Sequence, residues 1–201
     1  IWLDMNEPAN FKAEFSWTVP NNLPAAGDGK PTSMHEIHNV YALLESMATH
    51  QGFKAAEPDK RPFMLTRAGF AGIQRYSAVW TGDAASNFTA LEQQLPMFMN
   101  MGLSGVAFVG SDVGGWEGGT TPELFARWVA LGSISPFFRA HVQTTAPDQE
   151  PWQFGIEVED ISRIHIEERY RLLPYIYSLF HEAARTGHPI LRPLVYEYQE
   201  D

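Results

Sequence analysis

Three aspartates stand where short apolar runs stop: Asp4 after "IWL", Asp83 after "AVWTG" and Asp112 after "VAFVGS". One aspartate in such a place is commonly a helix N-cap in a strand-to-helix loop. Three of them, each beside Trp or Gly, point instead to carboxylates gathered at successive strand ends. Two facing carboxylates can cleave a bond at a glycosidic carbon. One, ionised, attacks the anomeric centre, and the other carries a proton to the leaving oxygen. A retaining reaction sets them about 5–5.5 Å apart, an inverting one about 6.5–9.5 Å. The long sequence interval between Asp4 and Asp83 suits two different strands. The attacking group needs hydrogen bonds and positive charge nearby, and the acid needs partial desolvation. Trp80 could supply an apolar wall. Arg67, Arg139 and His141 are candidates to bind sugar hydroxyls or to balance the negative charge. Trp and Phe near strand ends suit stacking on sugar rings, although most of the 13 Phe must be core.

The elements that must hold these residues alternate between short β-type runs and longer helical stretches. Strands are expected at 1–5, 61–67 and 76–83, and residues 103–116 read as strand, then acid, then glycine turn. Helices are expected at 36–52, stopped by Gly52, and at 87–102, with a proline inside. Another is expected at 121–133, with Thr121 as N-cap and Pro122 at the first helical position. Residues 159–187 read as a long amphipathic helix broken near Pro174. Residues 134–141 and 188–198 read as extended, and residues 11–34, rich in Pro, Gly and Asn, as one long loop. Strand, helix, strand, helix at this spacing predicts a parallel α/β fold. Polar residues at strand ends fit a (β/α)8 barrel, whose active site lies at the C-terminal face. An open doubly wound sheet also binds ligands at strand ends. No GxGxxG follows a strand and no GxxxxGK[ST] occurs, which counts against nucleotide folds.

The 201 residues are enough for one domain with a sizeable core. A net charge of −10 argues against nucleic acid as a partner, since its binders present a basic stripe. The absence of cysteine excludes disulfides, thiolate metal sites and cysteine nucleophiles, and favours a cytoplasmic location. No apolar run approaches the roughly 20 residues that span a bilayer, so no membrane partner is expected. "HEIH" at 35–38 places its second His too early for a HExxH zinc motif, and no metal is expected. "NFT" at 87–89 fits a glycosylation acceptor, a match common by chance. "EVEDISRIHIEERYR" reads as a solvated helix face. No GxSxG elbow appears.

Five blocks in order resemble glycoside hydrolase family 31, the α-glucosidase and α-xylosidase group: "WLDMNEP", "LTRAGFAGIQRYSAVWTGD", "FVGSDVGGW", "RWVALGSISPFFRAH" and "HPILRPLVYEYQED". The resemblance covers almost the whole chain. It implies a retaining, exo-acting α-glycosidase, foremost an α-glucosidase acting on α-linked oligosaccharides without a cofactor. Asp4 would be the nucleophile and Asp83 the acid/base. Glu7 would support the nucleophile's surroundings. Arg67, Asp112 and His141 would bind hydroxyls of the sugar, and Trp2, Met5, Trp80 and Trp116 would line its pocket. Alternatives are an α-xylosidase, a transglucosidase or lyase of the same family, or a non-catalytic carbohydrate-binding barrel that kept the pocket. The family pattern often reads "GDN…W" and "RNH", where this chain has "GDAASNF" and "RAH". These departures touch subsite detail and spare the ionisable groups. The resemblance further implies a partial (β/α)8 TIM barrel. Residues 1–198 would be its C-terminal part, starting at about strand four. Residues 199–201 would begin a linker to a β-sandwich, and the isolated chain would be inactive.

Overall fold

A computed structural model describes residues 1–11, 17–27 and 29–200, in two compact units, Ile1–Val79 and Trp80–Asp201.

In the first unit β1 (Trp2–Leu3) is followed by a hairpin of β2 (Pro24–Gly27) and β3 (Lys30–Ser33). Then come α1 (Met34–Ile37), a 3₁₀ turn, α2 (Tyr41–Ala56), β4 (Leu65–Thr66) and β5 (Ala78–Trp80). β1 and β4 run parallel, Trp2 opposite Leu65 and Leu3 opposite Thr66. β4 and β5 run parallel with Leu65 opposite Ala78. Strands buried on both faces read as continuous apolar runs, and Ala78 and Val79 are both buried. Met64, Leu65 and Ile73 complete this core.

Two expectations need correction here. The long loop predicted at 11–34 contains the β2–β3 hairpin, its described part pairing Pro24 with Ser33 and Gly27 with Lys30. Two prolines disguise it. A two-stranded ribbon consists only of edges, where proline is tolerated. The part of the predicted loop at 12–16 lies outside the described residues. Gly52 does not stop its helix. It sits exposed within α2, where a glycine costs about 1 kcal/mol without breaking the helix. The helix ends at Ala56, because Glu57 precedes Pro58 and leaves the α region at φ −135° and ψ 69°.

The second unit runs α3 (Phe88–Leu103), β6 (Val109–Val113), α4 (Pro122–Ile134), β7 (Phe137–Ala140), α5 (Ile156–Thr186) and α6 (Leu194–Glu197). β6 and β7 are parallel, pairing Gly110 with Phe137 and Asp112 with Arg139. A Cβ at residue 110 would run into the Phe137 carbonyl oxygen, so only glycine fits. Asn87 caps α3 by accepting from the Ala90 N–H at 2.8 Å. Thr121 caps α4 by accepting from the Leu124 N–H at 3.3 Å, as its sequence predicts. The core gathers Val113, Leu124, Phe125, Trp128, Val129 and Val158, with Phe154 stacked on Phe125.

α5 continues unbroken through Pro174, against expectation. Pro174 removes one backbone bond, but it and Tyr170, whose carbonyl loses its partner, are both exposed, so water can satisfy that group. The helix stops at Gly187, which takes the left-handed φ of 78°. The predicted extended tail at 188–198 includes the single helical turn α6 after Pro193, whose φ of −66° suits the entry to a helix.

Arg169 of α5 closes the C-terminus of α4. Its Nη1 donates to the carbonyls of Ser133 and Ser135 at 2.9 and 2.6 Å, and Nη2 donates to Pro136 at 3.1 Å. Helix ends leave carbonyls without intrahelical partners, and a cation there also meets the favourable end of the dipole. Burial pulls the guanidinium below the usual arginine range, with Tyr170 acting in the opposite direction.

Candidate active site

β1 ends at Leu3, and the next residue is Asp4. The turn that follows is tight: Met5 is the non-glycine residue with positive φ, at 60°, among those described. Such a backbone is uncommon outside glycine and persists only where the surroundings hold it. The Met5 N–H donates to Asp4 Oδ1 at 2.9 Å, and the Ala9 N–H closes the turn on the Met5 carbonyl at 2.9 Å.

Arg67 stands directly after β4, the neighbouring strand. Its Nε donates to Glu7 Oε1 at 2.6 Å and lies 3.3 Å from Asp4 Oδ1. Nη2 reaches Glu7 Oε2 at 3.4 Å. One guanidinium thus faces two carboxylates, and Glu7 is its closer partner. Asp4, Glu7 and Arg67, assigned together from sequence, stand together in the first unit. Met5 and Trp2 are partly exposed beside them in sequence.

Sequence reasoning missed the residue that ties this turn down. Asn6 is 3% exposed. Its Nδ2 donates to Glu45 Oε2 of α2 at 2.8 Å and to Thr66 Oγ1 at 2.9 Å. Its Oδ1 accepts from the Ala68 N–H at 3.2 Å. Thr66 and Ala68 flank Arg67. An asparagine between two acids in a loop gave no periodic signal.

In the second unit Asp83 is exposed, one residue after Gly82 with its φ of 74°. The segment ahead of it is anchored twice. The Thr81 N–H donates to the Gly110 carbonyl at 3.1 Å, and Thr81 Oγ1 donates to Gln94 Oε1 of α3 at 2.7 Å. Gln94 is buried and was also missed. A signal existed: it interrupts the apolar stripe Leu91, Leu95, Phe98 at the i+3 position. After Asp83, the Ala84 carbonyl accepts from the N–H groups of Trp116 and Glu117 at 2.7 and 3.1 Å. The Trp116 carbonyl accepts from the Gln143 N–H at 3.2 Å. The loops after β5, β6 and β7 are therefore laced together.

Gly114 and Gly115 have φ of 94° and 85°. A Cβ on either would meet Gln149 or Ser86 within 2.7 Å. Buried Gln149 donates from Nε2 to the Val113 and Gly115 carbonyls at 3.0 and 3.1 Å, fixing the turn that carries Trp116.

Asp112 is 0% exposed, and Arg139 on the adjoining strand donates to its Oδ1 from Nη2 at 2.5 Å and from Nε at 3.2 Å. The guanidinium also lies over the Trp80 ring at 5.4 Å. Trp80 itself is 2% exposed. Of this trio Arg139 is the member open to solvent. His141 follows β7 and is half-buried. Ser111, beside Asp112, accepts from the indole N–H of Trp128 on α4 at 2.9 Å.

A separate groove of about 460 Å³ runs between α4 and α5, lined by Ala126, Ala130, Val158, Ile161 and their polar neighbours, and none of the three strand-end aspartates lines it. Among the described residues no group of three or more His, Asp or Glu could hold a metal ion, and no helix is long and apolar enough to cross a membrane.

Comparison with known proteins matches residues 1–179 to the glycosyl hydrolases family 31 TIM-barrel domain. The whole chain is 49% identical to alpha-glucosidase 2 of Bacillus thermoamyloliquefaciens, covering 25% of that protein. It is 43% identical to a probable glucan 1,3-alpha-glucosidase of Oryza sativa subsp. japonica, covering 22% of it. Among solved structures, 98% of the chain superposes on 21% of a glucosidase II alpha subunit, Glc1Man2-bound, with a TM-score of 0.91 and 35% identity. It also covers 32% of a family 31 alpha-glucosidase from Bacteroides thetaiotaomicron, with a TM-score of 0.85 and 42% identity. The chain spans about a quarter of the length of the curated relatives it matches.

Proposed function

The chain belongs to glycosyl hydrolase family 31, and from that premise we propose that it carries the reacting groups of a retaining, exo-acting α-glucosidase. The observation that carries the reading is the arrangement at the ends of β1 and β4. Asp4 leaves one strand, Arg67 leaves its parallel neighbour, and the guanidinium meets the carboxylate. Parallel α/β barrels build their active sites at these C-terminal strand ends. The α-glucosidase names of its relatives favour glucose over xylose as the sugar taken.

In the first step an Asp4 oxygen attacks C1 of the terminal α-linked glucose. The glycosidic bond breaks, and Asp83 gives its proton to the departing oxygen. The product is a β-linked glycosyl ester on Asp4. In the second step Asp83, now ionised, takes a proton from water. That water attacks C1, the ester bond breaks, and glucose leaves with its original α configuration. Arg67 offsets the charge of Asp4 and Glu7 and binds a sugar hydroxyl. His141 and the Asp112–Arg139 pair bind others, the pair presenting its arginine. Trp2, Met5 and Trp116 supply walls, and Trp80 backs Arg139 from beneath. No metal or organic cofactor has a part in these steps.

The test uses the full-length protein. A fluorinated α-glucosyl fluoride should trap the ester, and peptide mass mapping should place the label on Asp4. NMR of a fresh digest should show α-glucose first. Asp4→Ala should lower kcat by about 10⁴-fold or more. Label on another residue, or β-glucose as first product, would overturn the reading.

A further inference from the structure

We infer that Asn6 and Glu45 form a positioning pair, which sets the distance between the nucleophile and the arginine that faces it. This rests on the reading of Asp4 as the nucleophile. Asp4 and Arg67 leave two different strands, each only two residues long, so the backbone ladder alone holds them over a short span. Beyond the ladder, and besides the contacts of Arg67 itself with Asp4 and Glu7, Asn6 is a buried link. It lies two residues after Asp4, and its amide bonds to Thr66 and Ala68, on either side of Arg67. One planar side chain thus spans both loops.

The amide needs its polarity fixed as well as its place. Thr66 Oγ1 donates to the Ala68 carbonyl at 2.8 Å, so it can only accept from residue 6. The Ala68 N–H can only donate. Glu45, reaching in from α2, accepts at 2.8 Å and orients the NH2 group toward itself and Thr66. Asn6 is buried and every polar atom of its amide is matched. Burial and full satisfaction make such a side chain a stiff strut, because any rotation leaves a buried donor or acceptor unpaired. A glutamate at 45 is the partner that forbids the flipped amide, since a flipped amide would set oxygen against oxygen.

The geometry makes a reversal test possible. Asn6→Asp keeps the shape of the side chain but turns its donor into an acceptor and sets two carboxylates together. Glu45→Gln restores a donor opposite it, and the Thr66 hydroxyl can rotate to donate to the new carboxylate by giving up its bond to the Ala68 carbonyl. Asn6→Asp with Glu45→Gln therefore conserves net charge and reverses the hydrogen bond between residues 6 and 45. In the full-length protein, kcat per active site is measured after titrating competent sites with the fluorinated glucosyl fluoride, so misfolded protein is not counted. Asn6→Asp should lower kcat on a poor leaving group by about 100-fold with KM changed little, the scale of a misplacement near 1 Å. Glu45→Gln alone should lower it less. The double variant should recover at least about tenfold over Asn6→Asp, since neighbours in one hydrogen-bond network couple rather than add.

If kcat per titrated site stays within about twofold in Asn6→Asp, or the double variant falls to the product of the two single effects, the pair has no positioning role. If the unaltered protein is labelled at a residue other than Asp4, the functional reading has failed instead, whatever the variants do.

Discussion

Asp83 and Asp4 carry the same functional group but ask for opposite tests. An acid that protonates a leaving oxygen matters in proportion to how badly that oxygen leaves. Asp83→Ala should therefore reduce kcat/KM by about 10²–10⁴-fold on a disaccharide and leave an activated aryl α-glucoside within about tenfold. A series of aryl leaving groups measures this as a steeper dependence on their pKa, and equal losses across the series would remove Asp83 from the acid role. At this scale the sequence was legible where a charged residue ends an apolar run, as Asp4, Arg67, Asp83 and Asp112 do. It was less so where a neutral amide works from beneath. Asn6 and Gln149 are neutral, lie in loops and follow no period. Gln94 alone left a trace, as a polar residue in an apolar stripe. The burial of Asp112 under Arg139 was also hidden, because residues 27 apart in sequence become neighbours only through strand register.

Strands and helices were legible to the degree that local chemistry decides them. Thr121–Pro122 starts α4 and Asn87 caps α3, each by a side chain adjacent to the helix it serves. Gly52 and Pro174 misled for a common reason. Each weakens a helix locally, but both sit on exposed turns of helices with neighbours to hold them. The β2–β3 hairpin was hidden by prolines that only its edges can tolerate. Arg169 is an element-scale device invisible to local reading: it serves α4 from α5. Arg169→Met keeps length and apolar contact but leaves three carbonyls without this donor. It should lower stability by roughly 2–3 kcal/mol, read from the urea midpoint. Arg169→Lys should fall between, since one ammonium cannot reproduce the planar fork. An unchanged midpoint in Arg169→Met would mean that water already serves those carbonyls.

For the whole molecule, the family places this chain in a TIM-barrel domain, and it covers about a quarter of relatives such as the Bacillus protein. On α5, Ile164, Tyr170, Tyr175 and Tyr177 are exposed. The isolated 201-residue chain is expected to hydrolyse no aryl α-glucoside and to self-associate, which a rate assay and light scattering check together. Ordinary enzymatic rates from the isolated chain would show that these residues suffice. The anchoring of the strand ends has a consequence for how such a protein can change. The turn after β1 is held by Glu45 of α2, the segment before Asp83 by Gln94 of α3, and the end of β6 by Trp128 of α4. Each of these three segments leans on a helix that comes later in the sequence. The loops after β5, β6 and β7 also bond to one another, so remodelling one of those rim segments disturbs the moorings of the other two.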